Sequence, residues 1–259
     1  MGSNVLLYIS MLGEPSLYDE NSFRTLCPTG LEKDWISMWH GGAAQEFKFR
    51  LETIDICRGD QLPDAGNVQA AILGGTAHVI DEDRPWLIEL TRWLRKYRAL
   101  KRPLLAICGG HQLVATKLWA GTLAHRLRGT LAGTYPITLT TLGKRHPLFY
   151  PLLPTPRFHF ANYLHVLLPP DFPAATLAVH EDSPAIALDY GHNWFSCQFH
   201  PESRKDMWDC FYQGRSTVRA DAFTDEHAGW HLVRNYLSLA AAACGNGSEI
   251  RRDIGQATR

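Results

Sequence analysis

Cys108 closes a short apolar run, Pro103-Leu104-Leu105-Ala106-Ile107, and is followed by Gly109-Gly110-His111-Gln112-Leu113. The run has the length of a buried parallel strand, and helical spacing resumes after the glycines, so the thiol falls on a tight strand-to-helix bend. A nucleophile carried on such a bend needs very small neighbours, which Ala106, Gly109 and Gly110 supply. The positive end of the helix dipole favours the thiolate, the form that attacks. The same local pattern also suits a cysteine that fills the core, because cysteine is among the most buried residue types. A second stretch tips the balance: in Trp194-Phe195-Ser196-Cys197-Gln198-Phe199-His200-Pro201-Glu202-Ser203 an apolar strand ends in a histidine, with a carboxylate just across a proline. A cysteine nucleophile requires a base and a group that orients it, brought together by the fold. Cys108, His200 and Glu202 are therefore the candidate catalytic residues.

The elements that must position them follow from periodicity. Val5 to Ser10, Phe47 to Ile54 and Val68 to Leu73 read as strands, the second with one wetter face. The third runs into Gly74-Gly75-Thr76-Ala77-His78, where glycines let backbone N–H groups point into the crevice at the strand ends. Most Gly-Gly pairs are plain turns. Asp81 to Asp83 and Pro85 suit the start of a helix whose Trp86, Leu90, Trp93, Leu94 and Tyr97 cover the sheet. The helix after Cys108 extends through Leu118 to a stop at Gly121. Strand and helix alternate to this point, which predicts a parallel sheet. Further on, Tyr135 to Thr141, Phe158 to Phe160, Ala175 to His180, Ala185 to Tyr190 and Trp194 to Phe199 read as strands parted by turns, an antiparallel flank. A helix is expected within Leu31 to Trp39, and another from His227 to Ala243 with Trp230, Val233, Leu237 and Ala240 on one face.

Composition bounds the rest. The 259 residues, 45% of them hydrophobic, suit one generous α/β domain. The 26 basic and 26 acidic residues balance, so nothing argues for a nucleic-acid or polybasic membrane surface. Without a transmembrane run or secretion signal, a cytoplasmic protein with free thiols is expected, and its six cysteines show no metal-ligand spacing. A single domain over 1–244 is expected, with an irregular stretch at 11–44, a charged, aromatic one at 203–225 and a disordered tail from 245.

Taken together, three blocks resemble the class I glutamine amidotransferase family, and most its stand-alone members related to the amidotransferase domain of GMP synthase. Leu73-Gly74-Gly75 through Val79-Ile80-Asp81-Glu82 and Pro85-Trp86 is similar to the oxyanion-loop region, Ile107 to Leu113 to the nucleophile motif, and Gln198 to Glu202 to the histidine–glutamate motif. Weaker similarity links Gly133-Thr134-Tyr135-Pro136, Gly143, His146-Pro147-Leu148-Phe149, and His165 with Leu168-Pro169-Pro170. The matched core runs from about Ala70 to Ser203. The resemblance implies a flavodoxin-like three-layer sandwich, with a central mostly parallel sheet and an antiparallel flank. It implies that Cys108 attacks the glutamine side-chain amide to give a γ-glutamyl thioester, that His200 holds the thiolate and protonates the leaving nitrogen, and that Glu202 fixes the imidazole tautomer. Gly74, Gly75 and Gly109 would supply the oxyanion N–H groups, and Gln112 would contact the bound glutamine. No cofactor and no metal is implied. Ala106 stands where the family usually has glycine, and Thr76 where the oxyanion loop usually has proline.

Three functions fit this pattern: a glutaminase supplying ammonia to a synthetase or synthase partner, a stand-alone hydrolase of γ-glutamyl amides or peptides, and a binding module without activity. The chain contains no P-loop and no Ser-Gly-Gly-x-Asp-Ser type loop, which favours the first. The stretches at 11–44 and 203–225, additions to the matched core and rich in aromatics, suit a partner-docking surface or a reshaped acceptor pocket. His227 and His231 are four apart, but Ala228 stands where a zinc protease needs glutamate, so they read as capping or surface residues. Cys197 reads as core, and His78, His111 and His165 as candidates for the cleft wall without a catalytic role.

Overall fold

Successive side chains of β1 (Asn4–Ser10) divide between two cores, Leu6 and Tyr8 on one face and Leu7 and Ile9 on the other. A strand apolar on both faces belongs inside a sheet covered on both sides. In the computed structural model, which describes residues 4–15, 17–152, 154–213, 219 and 221–245, that is where it lies. The eight-stranded sheet has the order β2-β1-β3-β4-β12-β11-β10-β7, with β2 (Phe49–Asp55), β3 (Ala70–Leu73), β4 (Leu104–Ile107), β7 (Thr138–Leu139), β10 (Ala175–His180), β11 (Ser183–Asp189) and β12 (Trp194–Cys197). From β2 to β12 all neighbours are parallel, and from β12 to β7 all are antiparallel. This is the expected mostly parallel sheet with an antiparallel flank.

The helices complete three layers. On one face α1 (Glu32–Glu46) and α5 (Gly229–Ala243) share the core that contains Leu6, Tyr8, Leu105 and Ile107. On the other, α2 (Pro85–Ala99) sets Trp86, Leu90, Trp93, Leu94 and Tyr97 against Leu7, Ile9, Leu104 and Ala106, as their helical spacing predicts. Two small antiparallel pairs lie beside the sheet, β5 (Thr122–His125) with β9 (Leu164–Leu167) and β6 (Leu131–Pro136) with β8 (Arg157–Asn162). A short helix, α4 (Lys205–Tyr212), follows β12.

Several elements differ from expectation for identifiable reasons. Helix α1 runs on past Trp39 through Gly41-Gly42, because Ala43 and Ala44 are buried beyond them and that packing offsets about 1 kcal/mol of propensity per glycine. The helix after Cys108 is regular only over α3 (Gly109–Leu113) and widens into a π-helical turn at Val114–Leu118. Thr116 Oγ1 donates back to the Gln112 carbonyl there (2.8 Å). Trp230 lies off the buried stripe and is 41% exposed, whereas Val233, Leu237 and Ala240 are buried. Strands β5 and β9 escape sequence reading because their pairing is remote. The tail expected over 245–259 lies, beyond Gly245, outside the described residues.

Candidate active site

Parallel strands β3, β4 and β12 are neighbours in register, Leu73 beside Ala106 and Cys197 beside Ile107. Their C-terminal ends therefore open on one edge of the sheet, where open α/β sheets bind ligands. The Gly74-Gly75 loop leaves β3, Cys108 leaves β4, and Gln198 to Glu202 leaves β12. Three segments far apart in sequence thus meet because the strands that carry them are adjacent.

Cys108 occupies φ 50°, ψ −106°, outside the ordinary regions for a residue with a Cβ. Such a conformation costs about 1–3 kcal/mol and persists only where the surroundings enforce it. Here the Cys108 N–H donates to the Cys197 carbonyl (2.7 Å), and the Cys108 carbonyl accepts from the Gln112 N–H (3.0 Å). Gln198 Nε2 reaches Cys108 Sγ at 3.6 Å, while Gln198 Oε1 accepts from Gln112 Nε2 at 3.2 Å. Gln112, expected to touch substrate, both lines the cleft and aims the amide beside the thiol.

His200 Nδ1 lies 2.8 Å from Glu202 Oε1. That pairing leaves Nε2, which has no hydrogen-bond partner among the described residues, for the cysteine side. Burial by itself lowers the His200 pKa. The charges of Cys108 and Glu202 and the hydrogen bond to Glu202 outweigh it and hold the imidazole well above the ordinary histidine range. The ring rests edge-on against Trp208 of α4, with centroids 4.9 Å apart at 77°. The Trp208 indole N–H donates to Ser203 Oγ (2.9 Å), and Ser203 Oγ donates to the His200 carbonyl (3.1 Å). His40 of α1 supports the third member, its Nε2 donating to the Glu202 carbonyl at 2.9 Å.

The loop after β3 packs tightly over this pair. A Cβ on Gly75 would come within 2.9 Å of His200 Cε1, and one on Gly109 within 2.4 Å of Thr76 Cγ2. Gly74, expected among the oxyanion donors, instead gives its N–H to the Ile9 carbonyl (3.0 Å), so it anchors the loop to β1. Thr76, where the resembled loop usually has proline, stiffens the loop with its hydroxyl, which accepts from the His78 N–H (3.1 Å). The 11–44 segment clamps the loop further: the Ala77 N–H donates to the Leu12 carbonyl (2.8 Å), and the Glu14 N–H to His78 Nε2 (3.1 Å).

A cavity of about 320 Å³ opens on these residues, lined among others by Gly75, Cys108, Gln112, Asn162, Tyr163, His200 and Trp208. Of the three histidines expected at its wall only His78 lines it; His111 pairs with Ser196 Oγ (2.7 Å) and His165 with Ser183 Oγ (3.1 Å). Cys197 is fully buried in the core. His227 caps α5 by accepting from the Gly229 N–H (3.1 Å), and His231 is exposed. Among the described residues no group of three His, Cys, Asp or Glu is placed to hold a metal ion.

Glu32, at the first turn of α1, also lines the cavity. Its oxygens accept from Tyr8 Oη (3.1 Å) and Ser10 Oγ (2.7 Å). Burial, reinforced by the charges of Glu202 and Asp55, pushes its carboxyl up to about 8, so it is a neutral acid at pH 7. Sequence reading missed Glu32, His40 and Trp208. A glutamate opening a helix reads as ordinary dipole chemistry, and nothing local shows that the fold buries it beside a second carboxylate.

Comparison with known proteins agrees with this architecture. The family model described as Glutamine amidotransferase class-I matches residues 49–215, a wider span than the motif blocks at 70–203. Gamma-glutamyl peptidase 3 of Arabidopsis thaliana is 26% identical over 153 residues, 57% of this chain and 61% of that protein. The glutamine-hydrolyzing GMP synthase of Thermotoga maritima is 34% identical over 145 residues, 55% of this chain and 26% of the synthase. The chain thus spans less than two thirds of either relative. The fold is shared with a glutamine amidotransferase from Thermotoga maritima (TM-score 0.73, 17% identity, 93% of this chain and 99% of that one). It is also shared with one from Methylobacillus flagellatus (TM-score 0.68, 14% identity, 95% and 96%). With more than half of its length matched and the same sheet, this chain belongs to the class I glutamine amidotransferase family.

Proposed function

We propose that this chain hydrolyses the side-chain amide of glutamine through a Cys108 thioester. The observation that carries this reading is the convergence on one cleft of a strained Cys108, a His200 bonded to Glu202 at 2.8 Å, and the Gly75 loop. Cys108 Sγ attacks the amide carbon, and the negative oxygen that develops is met by the N–H groups of Gly75 and Gly109. His200, charged beside the thiolate, hands its Nε2 proton to the leaving nitrogen, and Glu202 keeps Nδ1 occupied so that Nε2 is the nitrogen that titrates. Ammonia leaves, water cleaves the thioester with His200 as base, and glutamate is released. The ammonia serves an amination on a synthetase or synthase partner, a reading supported by the kinship with GMP synthase. Kinship with a γ-glutamyl peptidase supports a second reading, in which the same residues cleave a larger γ-glutamyl amide without a partner.

The test is release of glutamate and ammonia from glutamine by the purified chain. Equal yields are expected, with Cys108→Ala slower by about 1000-fold or more. Covalent labelling of Cys108 by a glutamine-like chloroketone without turnover would identify a partner-gated enzyme. Neither turnover nor labelling would leave the fold as a binding module and reject the proposal.

A further inference from the structure

Resting on the thioester reading, we infer that the leaving-group side of the cleft is an aromatic subsite, so that the chain prefers γ-glutamyl amides whose amine carries an aromatic or other uncharged apolar group. The leaving nitrogen must lie beside the imidazole that protonates it, and the His200 ring stands edge-on against Trp208 at 4.9 Å. Any substituent on that nitrogen is therefore directed along α4. Met207, Trp208, Phe211 and Tyr212 of that helix line the same cavity as Cys108 and His200.

This wall is braced from behind. Trp208 stacks on Phe223 (4.9 Å, 10°) and Tyr212 (6.2 Å, 27°), and Phe211 packs against Phe23 (6.4 Å). A braced aromatic face binds a flat apolar group without first having to be ordered. The cavity, about 320 Å³, falls at the lower end of sites that enclose drug-sized ligands, which leaves room beyond a glutamyl group. Its charge pattern argues in the same direction. No lysine or arginine is among the described lining residues, so an anionic substituent such as a glycine carboxylate finds no counter-charge beyond the His200 imidazolium, which Cys108 and Glu202 already pair. Of the two lining carboxyls, Glu32 is neutral at pH 7 and Glu202 is ion-paired with His200 through Oε1, its Oε2 having no partner among the described residues, so the one carboxylate charge a cationic substituent meets is already paired.

The step balances as for glutamine. The Cys108 Sγ–carbon bond forms, the carbon–nitrogen bond breaks, and the amine leaves with the proton from His200. Water then releases glutamate.

The experiment compares kcat/KM of the full chain for γ-glutamylbenzylamide, γ-glutamylethylamide, γ-glutamylglycine and glutamine. Both alkylamines are poor leaving groups, so the ring is the main variable. The benzylamide is expected to exceed the ethylamide and the glycine compound by about tenfold or more. In Phe211→Ala and Tyr212→Ala the ratio of benzylamide to glutamine should fall by about tenfold. Capture of the thioester formed from glutamine gives a readout in the unmodified chain: benzylamine should intercept it at lower concentration than ethylamine. Turnover of glutamine with benzylamide and ethylamide equal, or a parallel loss of both substrates in the variants, overturns the aromatic subsite alone. Failure of every compound to release glutamate or to acylate Cys108 overturns the thioester reading with it.

Discussion

At Gly75 the backbone passes so close to the His200 imidazole that one added carbon has nowhere to go, lying 2.9 Å from Cε1 and 3.4 Å from Cys108 Cβ. Gly75→Ala should therefore displace either the ring or the loop N–H, lowering kcat by about 100-fold and costing about 1–3 kcal/mol of stability as overpacking. Wild-type turnover in that variant would remove the loop from the oxyanion site. Glu32 offers a second test at this scale, in stability against pH. Its folded pKa of about 8 lies above the ordinary 4.5, so the folded chain keeps a proton that the unfolded chain releases. That contribution is whole below about pH 4.5 and is lost as pH rises towards and through 8. The charges around it act in the same sense, Glu202 beyond β12 and Asp55 at the end of β2, itself raised to about 6, while the hydrogen bonds from Ser10 and Tyr8 oppose them without reversing the shift. Glutamine mimics the neutral acid and has no proton to lose. Glu32→Gln should match wild type near pH 5 and be more stable by on the order of 3 kcal/mol near pH 9, as read by urea midpoints across that range. Parallel curves for the two proteins would show that Glu32 ionises normally.

Among the elements, the short ones govern the site. Four-residue β3, β4 and β12 do no more than deliver three bends to one edge, yet their register fixes which side chains can meet. The 11–44 segment, outside the matched motifs, is built into the same edge: α1 contributes Glu32 and His40, and Leu12 and Glu14 hold the loop that carries Thr76 to His78. The segment is not a detached appendage, so a partner that moved it would act directly on the loop that carries Gly75 and Thr76. Phe199 tests how far the strand end itself positions the site. It is fully buried, stacks on Phe158 at 4.1 Å and meets Phe160 at 5.8 Å. Phe199→Ala should cost about 3–5 kcal/mol in denaturant unfolding and lower kcat, because the cavity lies one residue from His200. A stability loss with unchanged kcat would mean that Glu202, Trp208 and Ser203 hold the imidazole without it.

Over the whole molecule, two cores separated by one sheet divide the work. The core under α2 contains strand residues such as Leu104, Ala106 and Trp194, which stiffen the parallel half. The core under α1 and α5 runs without a break into the cleft, since Cys108, Met207, Trp208 and Phe223 belong to it. The sheet edge that carries Cys108, His200 and Glu202 is thus an extension of a hydrophobic core, and the charges placed there are held in low dielectric, where their mutual effects are large. Among the described residues no helix is long and apolar enough to cross a membrane.

The sequence alone determined the strands and helices whose apolar periodicity is strong, the mixed sheet, and the identity of the residues at its three bends. Their signal is local: an apolar run, a glycine pair, a histidine followed by a carboxylate. Only the tertiary structure decided that the Gly74 N–H is spent on the Ile9 carbonyl, that Trp230 faces outward, and that Glu32, His40 and Trp208 surround the candidate pair. It also decided that α1 continues through two glycines. In each case the deciding quantity is burial against a segment distant in the chain, or a backbone hydrogen bond made with one. Burial of a charged or aromatic side chain beside another is a property of the packed sheet edge, which no window of neighbouring residues contains.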